Sequence, residues 1–251
     1  AKRIHLPALR AVSNLQLVAA CDVDAPRRDE LRAEFAIPTV YDDARTMLER
    51  ERPDMVIVGT PPALHAEHCL LGLEYGAHIF CEKPFVEQIE RGRAVVAAAE
   101  RAQRQIAVNN QYRYMPIYRE TARRLAAGEF GRLYYLHAWQ QMYHPPTMES
   151  NWRATLSQAT LFDFGTHVLD LLLYFFDARP VAITAQMPHV HANIAADVLD
   201  LVQMRFPGER AATITLNRLS HAPERYLEMR LECEEASVRI SLGGVAYARL
   251  G

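Results

Sequence analysis

Glycine is scarce in this chain. Eleven glycines in 251 residues is about 4%, against a usual ~7%, and no G-x-G-x-x-G occurs anywhere. An excess of one charge is missing too. Lys and Arg number 28 against 30 Asp and Glu, a formal charge of -2, which removes the basic field expected of a nucleic-acid binder. The four cysteines (Cys21, Cys69, Cys81, Cys233) show no C-x-x-C spacing. That excludes a disulfide scaffold and a zinc ribbon, and it reads as reduced thiols in a cytoplasm. The longest apolar run, Val168 to Phe176, is interrupted by Asp170 and is too short to cross a bilayer. No apolar stretch follows Ala1-Lys2-Arg3-Ile4-His5, so no signal peptide is expected there.

What is present is half hydrophobic and 23% charged, an ordinary composition for one large domain or two modest ones. Residues 1–112 alternate short apolar runs with amphipathic stretches. Strands are expected at Leu15–Cys21, Thr39–Tyr41, Met55–Val58, His78–Cys81 and Ile106–Val108. Helices are expected at Lys2–Val12, Ala25–Phe35, Asp42–Glu51, Ala63–Tyr75 and Glu87–Arg104. Continuously apolar strands, each followed by a helix, imply a parallel sheet covered on both faces. In residues 113–251 the pattern changes. A helix at Pro116–Ala127, a strand at Leu133–Met142 and an apolar helix at Leu161–Phe176 precede strands at Val181–Met187, Val198–Phe206, Ala211–Leu216, Tyr226–Cys233 and Ser237–Leu242. Short links between those strands imply a mainly antiparallel sheet with the apolar helix on one face. The fold class expected is therefore α/β: a Rossmann-type parallel-sheet domain over residues 1–112, then an α+β domain with an open, mainly antiparallel sheet over 113–251.

In a doubly wound nucleotide-binding domain, the acidic residue ending the second strand lies about 20 residues after the glycine turn. Asp22 is such a residue. A strand and a glycine-rich phosphate loop are accordingly expected ahead of Ala1, the alternative being a complete chain whose initiator Met was removed. At the other end, Val245–Gly251 stops inside a strand-like stretch.

Ligands of open parallel sheets bind beyond the carboxyl ends of the strands. Two such ends carry candidate chemistry: Gly59-Thr60-Pro61-Pro62 with His65 one turn on, and Glu82-Lys83-Pro84. Alone, the second also reads as a turn with a solvated ion pair. A third cluster lies on the apolar helix, where Asp163, His167 and Asp170 stand at i, i+4 and i+7 on one face. A satisfied core histidine fits that pattern. So does a histidine general base oriented by aspartate and facing a cleft between the two halves. The scattered His137, His144, His189, His191 and His221 lack the spacing of a metal site, and none is expected.

Together these residues resemble the Gfo/Idh/MocA oxidoreductases (glucose–fructose oxidoreductase, inositol dehydrogenase and rhizopine-catabolism relatives). The resemblance runs from Lys2 to about Gly244. It rests on Thr60-Pro61-Pro62-Ala63-Leu64-His65, Glu82-Lys83-Pro84, Asn110-Gln111-Tyr112-Arg113-Tyr114-Met115-Pro116, Asn151-Trp152-Arg153 and Asp163-Phe164-Gly165-Thr166-His167-Val168-Leu169-Asp170. It implies hydride transfer between NAD (or NADP) and a hydroxyl carbon of a sugar, sugar derivative or cyclitol. Lys83, Asp163 and His167 would be catalytic, and Asp22, Thr60, Pro61, His65, Glu82, Lys83, Gln111 and Arg153 would hold the cofactor. It also implies a homodimer or homotetramer paired through the outer face of the second sheet. Two other activities stay open: glycoside cleavage through transient oxidation, and non-catalytic dinucleotide sensing. The resemblance departs at Ser157-Gln158-Ala159-Thr160, where relatives often carry glycines; side chains there are expected to reshape the substrate pocket.

Overall fold

The computed structural model describes residues 5–145, 156, 158–194, 196–221, 226–242 and 245–250. The chain divides into two compact units, Ala1–Asn109 and Asn110–Gly251.

In the first unit the order is α1 (His5–Arg10), β1 (Ala19–Cys21), α2 (Ala25–Phe35), β2 (Thr39–Tyr41), α3 (Ala44–Glu51), β3 (Met55–Val58), α4 (His65–Glu74), β4 (His78–Cys81), α5 (Ile89–Ala102) and β5 (Ile106–Val108). Every strand pairing is parallel. The pairings fall into two groups, β1–β2 and β3–β4–β5, where one continuous sheet was expected. The strand expected from Leu15 is shorter, because Leu15 is exposed and pairing begins only at Ala19. Nor are the strands covered throughout on both faces: β1 is half-buried along its length and Met55 opens β3 exposed. The core sits between α4, α5 and the second group, where Cys69, Leu73, Ile79, Cys81 and Val95 are buried. Asp43 starts α3 by accepting the Thr46 N–H at 2.7 Å, so one donor left over at the helix start is satisfied.

The second unit contains α6 (Pro116–Ala126), β6 (Leu133–Gln141), α7 (Thr166–Phe176) and then β7 (Ala182–Gln186), β8 (Leu199–Phe206), β9 (Arg210–Asn217), β10 (Leu227–Cys233), β11 (Ala236–Ser241) and β12 (Val245–Leu250). Seven strands form one sheet in the order β12-β11-β10-β6-β9-β8-β7. All its pairings are antiparallel except β6 with β9. Strand β8 shows the alternation that aims a sheet: Asp200, Val202, Met204 and Phe206 are buried while Leu201, Gln203 and Arg205 are exposed. Helix α7 packs on the buried face through Val168, Leu171, Leu172 and Phe175. Each such side chain contributes roughly 1.5–3 kcal/mol by leaving water.

The apolar helix expected as one piece from Leu161 begins instead with a π-helical turn, Leu161–Gly165, which runs directly into α7. Its first N–H groups find a partner far along the chain. Asp197 accepts Thr160 N–H at 2.9 Å on one carboxylate oxygen and Leu161 N–H at 2.9 Å on the other, a charge that also suits a helix start. Gly165 lets this turn approach the sheet: a Cβ there would sit 2.9 Å from Leu216 Cδ1.

Candidate active site

In the first unit, the side chains expected to act lie where β1, β3 and β4 end. Beyond β3, Thr60 exposes part of its side chain, its Oγ1 3.2 Å from Nδ1 of His68, whose proton affinity burial lowers. Pro61 is exposed and starts a 3-10 turn, Pro62–Leu64. His65 behaves differently from its neighbours. It is 1% exposed, with Nε2 2.8 Å from the Thr60 carbonyl oxygen and Nδ1 2.9 Å from that of Pro84. The imidazole thus holds the loop after β3 to the loop after β4, and both ring nitrogens are occupied by backbone.

Glu82 follows β4 directly. Its Oε1 lies 2.6 Å from His5 Nε2 and accepts Asn109 Nδ2–H at 2.8 Å, while Oε2 accepts the Lys83 N–H at 3.1 Å. Burial alone pushes this carboxyl up, but the bonds from His5 and Asn109 outweigh it, and the group is held at about 2. Its carboxylate therefore anchors α1 and the end of β5 around the Lys83 backbone. Lys83 itself is half-buried and joined to Pro84 by a cis peptide bond.

Asp22, at the end of β1, accepts the Asp24 N–H on Oδ1 at 2.9 Å and faces Arg27 from Oδ2 at 3.8 Å. Arg28 spends its guanidinium on the backbone carbonyls of Asp22 and Val23. One carboxylate oxygen of Asp22 thus keeps acceptor capacity, which fits a ribose diol.

In the second unit, Asp163 lies on the π-helical turn and His167 one step into α7. They are 8% and 4% exposed, two polar groups in a helix whose other buried residues are apolar apart from Gly165. The third residue of the expected polar face is committed elsewhere. Asp170 accepts Arg113 Nε–H on Oδ2 at 2.8 Å and a second guanidinium N–H on Oδ1 at 2.5 Å, with Asn110 Nδ2–H at 3.2 Å. This fork pins the 3-10 turn Gln111–Tyr114 to α7. Within that turn Gln111 Oε1 is buried and has no hydrogen-bond partner among the described residues, an acceptor suited to a carboxamide N–H.

Two tyrosines that sequence reasoning did not single out complete the surroundings. Tyr112 stacks on His167, and Tyr226 precedes β10 with its ring edge-on to Phe164. Burial raises the Tyr112 phenol, its hydrogen bond with Tyr226 lowers it and the Asp163 charge raises it; Tyr226 is pushed well up by burial. Tyr112 lies inside a motif already noted, whereas no local pattern marks Tyr226, His5 or Asn109.

Thr160 turns inward, its Oγ1 donating to the Asp197 carbonyl at 2.6 Å, and Ala159 is buried. Asn151, Trp152, Arg153 and Ser157 lie outside the described residues. Among the described residues, no group of three His, Cys, Asp or Glu side chains is placed to hold a metal ion, and no helix is long and apolar enough to cross a membrane.

Residues 1–110 match the family model described as "Oxidoreductase family, NAD-binding Rossmann fold", and residues 118–239 match that of the "GFO/IDH/MocA C-terminal domain". D-apiose dehydrogenase of Paraburkholderia graminis is 30% identical over 223 residues, 87% of this chain and 55% of the relative. A scyllo-inositol 2-dehydrogenase (NADP(+)) of Bacillus subtilis is 26% identical over 187 residues, 73% of this chain and 50% of the relative. The chain spans about half the length of these relatives. Among solved structures, the aldose-aldose oxidoreductase of Caulobacter crescentus, complexed with glycerol, superposes with a TM-score of 0.89 over 100% of this chain and 78% of that one, at 20% identity. That last likeness is one of fold.

Proposed function

The chain belongs to the GFO/IDH/MocA oxidoreductase family, and from that premise we propose that it moves a hydride between NAD and a hydroxyl carbon of a sugar, sugar derivative or cyclitol. The observation that carries this reading is the buried Asp163–His167 pair at the start of an otherwise apolar helix. So much buried polarity at one helix start suits a proton-handling role better than a packing role.

Oxidising an alcohol removes a hydride from carbon and a proton from oxygen. NAD, when bound, supplies the two-electron acceptor for the hydride. The chain's own residues handle the rest. His167 takes the hydroxyl proton, a task suited to imidazole near neutral pH. Asp163 orients that imidazole and balances the charge it gains. The Lys83 ammonium stabilises the developing negative charge on the substrate oxygen, on a backbone that the Glu82 carboxylate and the His65 imidazole hold in place. For the cofactor, Asp22 would accept from ribose hydroxyls, Thr60 and Pro61 would line the dinucleotide, and Gln111 would accept from the carboxamide. The Asp22 carboxylate repels a 2′-phosphate, and Arg28 is committed to backbone oxygens; both support NAD over NADP.

A homodimer or homotetramer formed on the outer face of the seven-stranded sheet belongs to the same proposal, supported by the exposed Trp139 and Leu201 there and checked by light scattering. Buried thiols at Cys69, Cys81 and Cys233 support a cytoplasmic setting.

The test is NADH formation on a panel of sugars, sugar acids and cyclitols. Turnover is expected on at least one of them, falling at least 100-fold in Lys83→Ala and in His167→Ala. Turnover unchanged in both variants rejects the reading. Glycoside release without net NADH would support the transient-oxidation chemistry instead.

A further inference from the structure

The imidazole of His167 lies flat on the phenol ring of Tyr112, with centroids 4.1 Å apart and planes 9° from parallel. Behind Tyr112 a second ring continues the column, Tyr118 of α6, at 6.2 Å and 11°. The column is braced on two sides. Arg113, next to Tyr112, forks onto Asp170 of α7. The Tyr112 hydroxyl shares a hydrogen bond with Tyr226, whose ring abuts Phe164 of the π-helical turn. Tyr112 is therefore unable to swing away without breaking contacts on three elements.

We propose that Tyr112 is a positioning residue for His167, its aromatic face fixing the imidazole plane and favouring the protonated ring over the neutral one. The face of a phenol carries negative potential and attracts a cation stacked on it. A histidine that must accept a proton and hold it briefly gains from such a face in the state where the charge appears. This rests on the proposed function only in naming His167 as the proton acceptor.

Among the described residues, the charged and titratable groups of the elements packed against this helical segment include the following. Asp163 and Asp170 belong to its own helical segment, Tyr112 and Arg113 to the adjoining 3-10 turn, Tyr118 to α6 and Tyr226 to the start of β10. Arg218, at the end of β9, lies over Phe164 with 5.0 Å to the ring centroid, and β6 contributes the uncharged Gln140. Asp170 is matched by Arg113. Asp163 stays in place in every variant considered below, so a change on altering Tyr112 reports the ring.

The decisive measurement is an NMR titration of the His167 imidazole in the 251-residue chain, read in wild type, Tyr112→Phe and Tyr112→Leu. It needs no turnover, so its failure is separable from failure of the proposed activity. The phenylalanine variant keeps the face and is expected to titrate with wild type. The leucine variant is expected to titrate roughly half a unit to one unit lower. Where turnover is measurable, Tyr112→Leu is expected to lower kcat about tenfold with KM for NAD unchanged, while Tyr112→Phe keeps kcat within about threefold. If the leucine variant does not fold, Tyr112→Met carries the same expectation. A folded leucine or methionine variant titrating with wild type overturns the proposal, as does a phenylalanine variant that shows the full drop.

Discussion

Nδ1 of His65 lies 2.9 Å from the carbonyl oxygen of Pro84, so the residue after Lys83 is held by a helix that begins nineteen positions earlier in the chain. The same ring reaches Thr60 from its other nitrogen. Sequence reasoning set His65 against the dinucleotide; its buried contacts make it the strap between two strand ends.

Replacing His65 with alanine leaves the carbonyl oxygen that its N–H serves, that of Thr60 or of Pro84 according to the tautomer, without this donor. An abandoned buried acceptor costs about 1–3 kcal/mol, so the urea midpoint is expected to fall accordingly. Because the Lys83 backbone is loosened rather than removed, kcat is expected to drop less in His65→Ala than in Lys83→Ala. Equal losses in the two variants would contradict the strap.

The fork between Arg113 and Asp170 makes a second prediction. The Asp170 side chain is 12% exposed, and removing Arg113 strands a mostly buried carboxylate. Breaking such a pair costs roughly 3–5 kcal/mol when both groups are buried; with Arg113 one-third exposed, about 2–4 is expected for Arg113→Ala. The double variant with Asp170→Asn is expected to recover part of that loss, and strict additivity in the cycle would show that the pair does not couple.

Glu82 gives a pH signature. Its carboxyl is held at about 2, below the ordinary 4.5, so the folded state binds its proton more weakly than the unfolded state does. The stabilisation is fully present above about pH 4.5 and is lost as pH falls toward 2. The difference amounts to about 3 kcal/mol at most. Unfolding of Glu82→Gln beside wild type at pH 6 and at pH 3 should show the wild-type advantage shrinking at the lower pH.

Asp200 has the opposite sign. It is fully buried, and burial, with the nearby Asp197 carboxylate, pushes it up to about 8. The folded chain therefore keeps a proton that the unfolded chain releases from pH 4 upward, and stability falls as pH rises from about 4 to 8. Asp200→Asn should flatten that slope. A variant whose unfolding follows the wild-type pH dependence would show that the carboxyl carries charge at neutral pH.

The parts of the fold visible in the sequence were those written in local pattern. Met55–Val58 and His78–Cys81 are apolar runs closed by Gly59 and by Glu82-Lys83-Pro84, and both are strands. Leu199–Phe206 alternates in sequence and in burial. Asp163 and His167 stood out as polar residues on an apolar helix and are buried together. What the sequence hid is non-local. Glu82 meets His5 across 77 positions, and Thr160 meets Asp197 across 37; neither leaves a trace in spacing. The π-helical turn has no compositional mark; what the structure adds is its close approach to Leu216 at Gly165. Short links implied a mainly antiparallel sheet, which is what forms; the place of β6 between β9 and β10 has no local mark.

That insertion has a kinetic consequence. Tyr135 pairs with Ala211 and Gln140 with Leu227, so the central ribbon of the sheet must wait for most of its domain to be synthesised before it can be hydrogen-bonded on either edge. Distant closures of this kind slow the search for the native state. Until they occur, the β8–β9 and β10–β11 hairpins are the pieces able to form early, each lacking the middle that joins them.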